Sequence, residues 1–180
     1  MRSKTTTRIP RVSVEPRESC ESCEPGEPCE PTGMLLRRAR SADAPALTAL
    51  YQHLVPGDPD IRVDPAQLAE LEHDPDNVVI VAELDATVRA TAALTICRDV
   101  MYGAQPYGVV ENVVVDAAHH GRGPGRAVLA EVEAVARTRA CTKLMLLSAA
   151  ARTGAHAFFA RCGFDGTAKR GFVNYLNRRA

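Results

Sequence analysis

Hydrophobic and polar positions alternate between two periods along most of this chain, and the changes of period mark its elements. Met34-Leu35-Leu36-Arg37-Arg38-Ala39 predicts a first strand. From Ser41 the pattern turns helical, with Leu47, Leu50, Tyr51 and Leu54 on one face, Ser41 as the N-cap and Asp43 in the first turn. Val55-Pro56-Gly57-Asp58-Pro59 stops that helix. A second helix is expected over 65–72, started by Asp64 and ended before Pro75. Residues 78–84 and 87–97 read as two antiparallel strands joined by a tight Asp85-Ala86 turn. Residues 107–115 are nearly all apolar and β-branched, the pattern of a central strand covered on both faces. An amphipathic helix over 125–139, a strand over 143–147, a helix over 153–161 ended by Gly163 and a last strand over 171–177 complete the series. Strand, helix and strand in succession from 107 to 147 predict a crossover with parallel strands.

Between the valine-rich strand and the amphipathic helix lies His119-His120-Gly121-Arg122-Gly123-Pro124-Gly125-Arg126. Glycines let a backbone approach an anion closely, and the first amides of the following helix are unpaired donors at its positive dipole end. The run therefore reads as a phosphate cradle or, on its own, as a solvated turn. Gly121, Gly123 and Gly125 do not spell Gly-x-Gly-x-x-Gly, and no Gly-Lys-Ser or Gly-Lys-Thr is present, which argues against dinucleotide-binding and nucleotide-hydrolase loops.

Composition narrows the class. The 180 residues, 46% of them hydrophobic, suffice for one domain with a core. Twenty-two basic residues balance twenty-two acidic ones, so overall charge recommends neither nucleic acid nor membrane as a partner, and a small molecule is expected. No apolar run reaches the roughly 18 residues of a spanning helix and the first residues are polar, so a cytoplasmic location is expected. Residues 1–33, rich in Pro, Glu, Ser, Thr and Arg, read as a disordered tail, leaving 34–180 as the folded domain. Within that tail Cys20, Cys23 and Cys29 offer three thiolates without a fourth ligand. Cys97, Cys141 and Cys162 sit singly in apolar surroundings and read as small buried hydrophobes. No metal is expected, since the adjacent histidines His119 and His120 point in different directions and lack companion ligands.

Two motifs in this order resemble the Gcn5-related N-acetyltransferase (GNAT) superfamily. The acetyl-CoA signature of that family, Gln or Arg, two residues, Gly, one residue, then Gly or Ala, is matched by His120-Gly121-Arg122-Gly123-Pro124-Gly125, preceded by Val113-Val114-Val115-Asp116. The second signature, a helix and turn of the type Ala-x-x-Phe-Tyr-x-x-x-Gly-Phe, is matched by residues 155–164. Glu111-Asn112 and Cys162-Gly163-Phe164 look most like the glucosamine-phosphate acetyltransferase branch and small bacterial relatives. The resemblance covers residues 34–180. It implies an α/β (α+β) GNAT fold: a mixed, mostly antiparallel sheet of six or seven strands flanked by about four helices. It also implies acetyl-CoA as acyl donor, direct transfer of the acetyl group to a primary amine of a small molecule, and a homodimer as the form many relatives take. An acyl-CoA-binding domain with little turnover and a protein or peptide N-acetyltransferase are the alternative readings.

By resemblance the amides from Arg122 to Arg126 bind the CoA pyrophosphate, His120 lines the loop, and the backbone of Val113, Val114 and Val115 faces the acetyl group. Pro124 removes one amide from the cradle, and Arg122 and Arg126 are candidates to pair with phosphates. Attack by an amine requires loss of its proton, and Glu111, the lone carboxylate in the valine-rich strand, is the candidate base, with burial expected to raise its pKa. Asn112 is a candidate to assist by hydrogen bonding. Phe159 stands at a cofactor-contacting position where many family members carry a Tyr that protonates the leaving thiolate. Phe has no such proton, so water, Tyr175, Tyr107 or Ser148 is left to supply it. Phe158 is expected in the core. Acceptor contacts are expected from the loops after the first helix and after Cys97, with Tyr51, Asp58, Asp60, Arg62 and Tyr102 as candidates.

Overall fold

The computed structural model describes residues 33–101 and 103–176. The expected tail, with Cys20, Cys23 and Cys29, lies outside these residues except for Gly33, as does Tyr102. The sheet has five strands, β1 (Leu35–Arg38), β2 (Asn77–Leu84), β3 (Thr87–Cys97), β4 (Tyr107–Val115) and β5 (Leu144–Leu146), in that spatial order. The first four pair antiparallel and β5 lies parallel to β4, so the sheet is mixed and mostly antiparallel as expected. Four helices flank it, α1 (Ala44–Leu54), α2 (Pro65–Glu72), α3 (Pro124–Thr138) and α4 (Thr153–Arg161).

Each element follows from local chemistry. Asp64 caps α2 by accepting the Ala66 amide at 2.8 Å, and Pro65 occupies the first turn, where its missing N–H costs nothing. Asp85 and Ala86 both adopt positive φ, 49° and 56°, the mirror-image turn whose twist suits a two-residue hairpin. Gly163, at φ 91°, ends α4, and the Phe164 amide reaches back to the Phe159 carbonyl at 3.1 Å. At α1 the expected Ser41 cap is replaced. Ser41–Asp43 forms a single 3-10 turn, and it is the Asp43 carboxylate that accepts the Arg40 amide at 2.7 Å.

The sheet buries both faces. On one, Val78, Ile80, Leu94, Val110 and Phe159 join Val128 and Val132 of α3; on the other, Val81, Val88 and Val114 join Leu47, Leu50 and Leu68 of α1 and α2. The three internal cysteines are half-buried rather than fully enclosed, and desolvation pushes the Cys141 and Cys162 thiols up from their ordinary range.

One expected element is absent. Residues 171–176 form no strand, and the described sheet has five strands instead of six or seven. Phe172, Val173 and Tyr175 have β propensity, but propensity makes a strand only where a partner edge exists, and the neighbouring β5 is three residues long. Phe172, Tyr175 and Leu176 are exposed. Among the described residues no helix is long and apolar enough to cross a membrane, and no group of three or more His, Cys, Asp and Glu is arranged to hold a metal ion.

Arg37 ties the first strand to the rest. Its guanidinium binds Asp43 at 2.6 and 2.9 Å and Glu83 at 2.7 Å; Asp43 is buried, and Arg37 and Glu83 are half-buried. The hydrogen bonds from Arg37 hold the Asp43 carboxyl below the usual carboxylate range, and pairing with Asp43 raises the Arg37 guanidinium. A lowered folded-state value means that Asp43 contributes stability above its unfolded pKa, near 4, and that this contribution is lost as pH falls through the folded value. Urea denaturation midpoints are therefore expected to hold steady from neutral pH down to about 5 at this site and to fall below about 4; Asp43→Asn is expected to flatten that decline.

Candidate active site

The site grows from an irregularity in β4. Its register against β3 runs Ala93 with Glu111 and then Thr91 with Val114, so three steps on β4 oppose two on β3. This is a β-bulge, and Asn112 takes it up at φ 53°, a conformation Asn tolerates better than most residues. The bulge reverses the alternation of side chains. Val110 lies in the α3-side core, and Val113 and Val115 pack against it, while Val114 faces α1 and α2.

Beyond the bulge the sheet opens. β5 pairs only with Gly108, Val109 and Val110, whereas β4 continues to Val115. Glu111 to Val115 thus have β3 on one side and no strand on the other among the described residues, leaving a fork with backbone donors and acceptors along one edge. Ser148, two residues past β5, has a buried hydroxyl without a hydrogen-bond partner.

The glycine run follows directly. Asp116 leaves β4 and organises the turn: its amide donates to the Arg89 carbonyl at 2.7 Å, and its carboxylate accepts Arg89 Nη1 at 2.8 Å and the Ala118 amide at 3.0 Å. These bonds, the Ala118 amide first, hold the Asp116 carboxyl below its ordinary range. His120 Nε2 lies 3.1 Å from the Val115 carbonyl, which turns its ring back onto the strand end. Gly121 and Gly123 have φ of 77° and 101°, backbone shapes that favour glycine. Pro124 starts α3, and the first helical bond runs from the Ala127 amide to the Gly123 carbonyl at 3.0 Å. Of the five positions from Arg122 to Arg126, Pro124 has no amide and the Arg122 amide turns to the His119 carbonyl at 3.3 Å. Gly123, Gly125 and Arg126 are left with amides that donate to no backbone carbonyl among the described residues, at the N-terminal end of α3, with the exposed Arg122 and Arg126 side chains beside them.

Gly125 has a separate reason. A Cβ there would lie 2.8 Å from Val115 Cγ2 and 3.2 Å from Phe158 Cζ, so glycine lets α3 seat against β4 and α4. Gly125→Ala gains up to about 1 kcal/mol of helix propensity but overpacks a stiff valine. A net loss of about 1–2 kcal/mol in denaturant unfolding is expected. The aromatic pair divides its duties. Phe159 is buried in the core, 5.4 Å from Phe158 and 6.2 Å from Phe164, while the half-buried Phe158 abuts Gly125.

A second feature opens on the α1 side of the bulge. Tyr51, Leu54, Val55, Asp58, Asp60, Ile61, Arg62 and Asn112 line a cavity of about 390 Å³. Its loop is pinned to α1, since Thr48 Oγ1 accepts the Val63 amide at 2.9 Å and Gln52 Nε2 donates to the Ile61 carbonyl at 3.3 Å. The structure thus brings the expected residues Tyr51, Asp58, Asp60, Arg62 and Asn112 together. Glu111 is adjacent in sequence, exposed rather than buried as expected, and not part of the lining. Tyr175 is exposed in an irregular segment, and Tyr107 stands at the far end of β4 with Lys143 Nζ 5.2 Å from its ring. Leu54, Val55 and Ile61 were missed as lining residues; Leu54 ends the apolar face of α1, and for Val55 and Ile61 the available signal was their apolar character in a polar loop.

Comparison with known proteins accords with this arrangement. The description of the acetyltransferase (GNAT) family matches residues 45–164. The chain belongs to this family. A glucosamine 6-phosphate N-acetyltransferase from Oryza sativa subsp. japonica is 41% identical over 91 residues, 49% of this chain and 53% of that protein, so the match spans about half the relative's length. An aminoglycoside N(6')-acetyltransferase from Stenotrophomonas maltophilia is 33% identical over 73% of this chain and 86% of its own. The solved structure of a putative acetyltransferase from Agrobacterium tumefaciens superposes with a TM-score of 0.72 at 36% identity, covering 79% of this GNAT chain and 99% of the other.

Proposed function

We propose that this GNAT protein transfers an acetyl group from acetyl-CoA directly to a primary amine of a small molecule. The observation that carries the reading is the juxtaposition at the bulge of β4: a glycine loop on one side of the opened strand and, on the other, an open cavity of mixed polar and apolar lining. Acetyl-CoA, when bound, supplies an activated acetyl group and a thiol leaving group. The amides of Gly123, Gly125 and Arg126 suit its pyrophosphate, with Arg122 and Arg126 adding charge. The open edge of β4 at Val113 to Val115 presents backbone amides toward the acetyl oxygen. The cavity lined by Tyr51, Asp58 and Asn112 receives the amine, and Glu111, exposed at the bulge, takes the ammonium proton through water.

The small-molecule acceptor is supported by the cavity's size and by relatives whose names specify an amino sugar phosphate and an aminoglycoside. Calorimetric titration with CoA tests the cofactor half of this reading. Saturable binding at one site per chain is expected, with acetyl-CoA as competitor; absence of binding rejects it.

A further inference from the structure

Ser148 carries a hydroxyl that the fold buries and leaves without a hydrogen-bond partner among the described residues. Taking a hydroxyl out of water without pairing it costs stability, so such a group calls for a reason. Its place in the fold supplies one. The last paired residues of β4 and β5 are Val110 and Leu146; two steps on from each the strands have parted, with the bulge at Asn112 on one lip of the fork and Ser148 on the other. Leu144 and Leu146 pack on the α3-side core and Leu147 is exposed, so the alternation of β5 carried past its end brings Ser148 to the α3 side. The next residue is held firmly. The Ala149 carbonyl accepts the Arg152 amide at 2.9 Å and has His156 Nε2 of α4 at 3.0 Å.

The side that Ser148 occupies decides which half of the site it serves. The cavity assigned to the amine is lined from α1, the loop after it and Asn112, whereas the glycine loop leads into α3. The other hydroxyls that the sequence offers for the leaving group lie elsewhere: Tyr175 is exposed in an irregular segment, and Tyr107 stands at the far end of β4. Phe159, in the same α3-side core, has no proton to donate.

We propose that Ser148 donates a hydrogen bond to the sulfur of acetyl-CoA as it leaves. The proposal rests on the acetyl-transfer reading above. Transfer forms a bond between the amine nitrogen and the acetyl carbon and breaks the bond from that carbon to sulfur, whose electron pair stays on sulfur as negative charge. The proton of the amine goes to Glu111 through water. An alcohol is a far weaker acid than a thiol, so Ser148 keeps its own proton and stabilises the thiolate by the hydrogen bond alone, from a position fixed before the charge develops. The thiolate then takes a proton from solvent.

The thiol of bound CoA reports on this contact. A hydrogen bond to the charged form lowers a pKa, so CoA held by the wild type is expected to ionise about one to two pH units lower than CoA held by Ser148→Ala, followed by the ultraviolet absorbance of the thiolate. In the variant kcat for acetyl transfer is expected to fall about tenfold to a hundredfold, the value of a hydrogen bond to a charged group. Ser148→Ala is expected to bind CoA lacking its sulfur as the wild type does, and to melt, unliganded, no lower than the wild type, since the deleted hydroxyl has no partner to lose. Equal thiol ionisation or equal kcat in the two proteins, an equal loss of affinity for CoA with and without its sulfur, or a lowered Tm of the unliganded variant overturns the proposal and leaves acetyl transfer standing. Failure of the wild type to bind CoA overturns both.

Discussion

Glu111→Gln is expected to lower kcat for the proposed acetyl transfer about a hundredfold to ten-thousandfold and to leave the affinity for CoA unchanged. The expectation follows from the placement of Glu111 at the start of the bulge, next to Asn112 in the cavity wall and on the strand that leads into the glycine loop. Gln keeps the shape and one acceptor oxygen but cannot take a proton at neutral pH. Without a base the enzyme depends on the fraction of amine that is already neutral. The deficit of the variant is therefore expected to shrink about tenfold per pH unit as the pH rises toward the amine's own pKa. Steady-state kinetics across pH, with calorimetry for CoA, checks both parts. Equal kcat in wild type and variant removes Glu111 from the mechanism.

Arg37→Met is expected to have the largest effect on stability. Asp43 and Glu83 both take their cation from Arg37, and removing one partner from this partly buried ion network leaves Asp43, the buried member, without its cation in a poorly hydrated place. A loss of about 3–5 kcal/mol in urea unfolding is expected, a large fraction of the stability of a typical domain. The consequence reaches the site, because Asp43 also accepts the Arg40 amide at the start of the segment that becomes α1, and α1 carries Tyr51. Asp43→Asn, which keeps the shape and an acceptor oxygen, is expected to cost less.

The elements most legible in the sequence are those with punctuation at both ends. Pro65–Glu72 and Thr153–Arg161 have the bounds that Asp64, Pro65 and Gly163 announce, and Tyr107–Val115 is bounded by the valine run itself. The glycine run was legible for the same reason, since positive φ at Gly121 and Gly123 is a local demand that glycine meets. The bulge was not. Within Tyr107–Val115 only Glu111-Asn112 interrupts the apolar pattern, and a two-residue polar interruption does not say that the strand gains a residue there; the register against β3 does. The expectation that Glu111 is buried failed because its face of the sheet is only partly covered there: its β3 partner Ala93 and Val109, two residues before it, are half-buried, and Thr95 is exposed. The last strand failed for a different reason: Phe172, Val173 and Tyr175 describe a chain able to pair, and pairing depends on an edge that local sequence does not specify. Tyr51, Asp58 and Asn112 are far apart in sequence, and only the packing of α1 beside β4 makes one cavity of them.

The most direct measurement is release of free thiol from acetyl-CoA by the wild-type chain across a panel of primary amines that includes amino sugars, amino sugar phosphates and aminoglycosides. The account predicts thiol release that requires the amine and saturates with it. Bound CoA with no amine-dependent release from any member of the panel would contradict it.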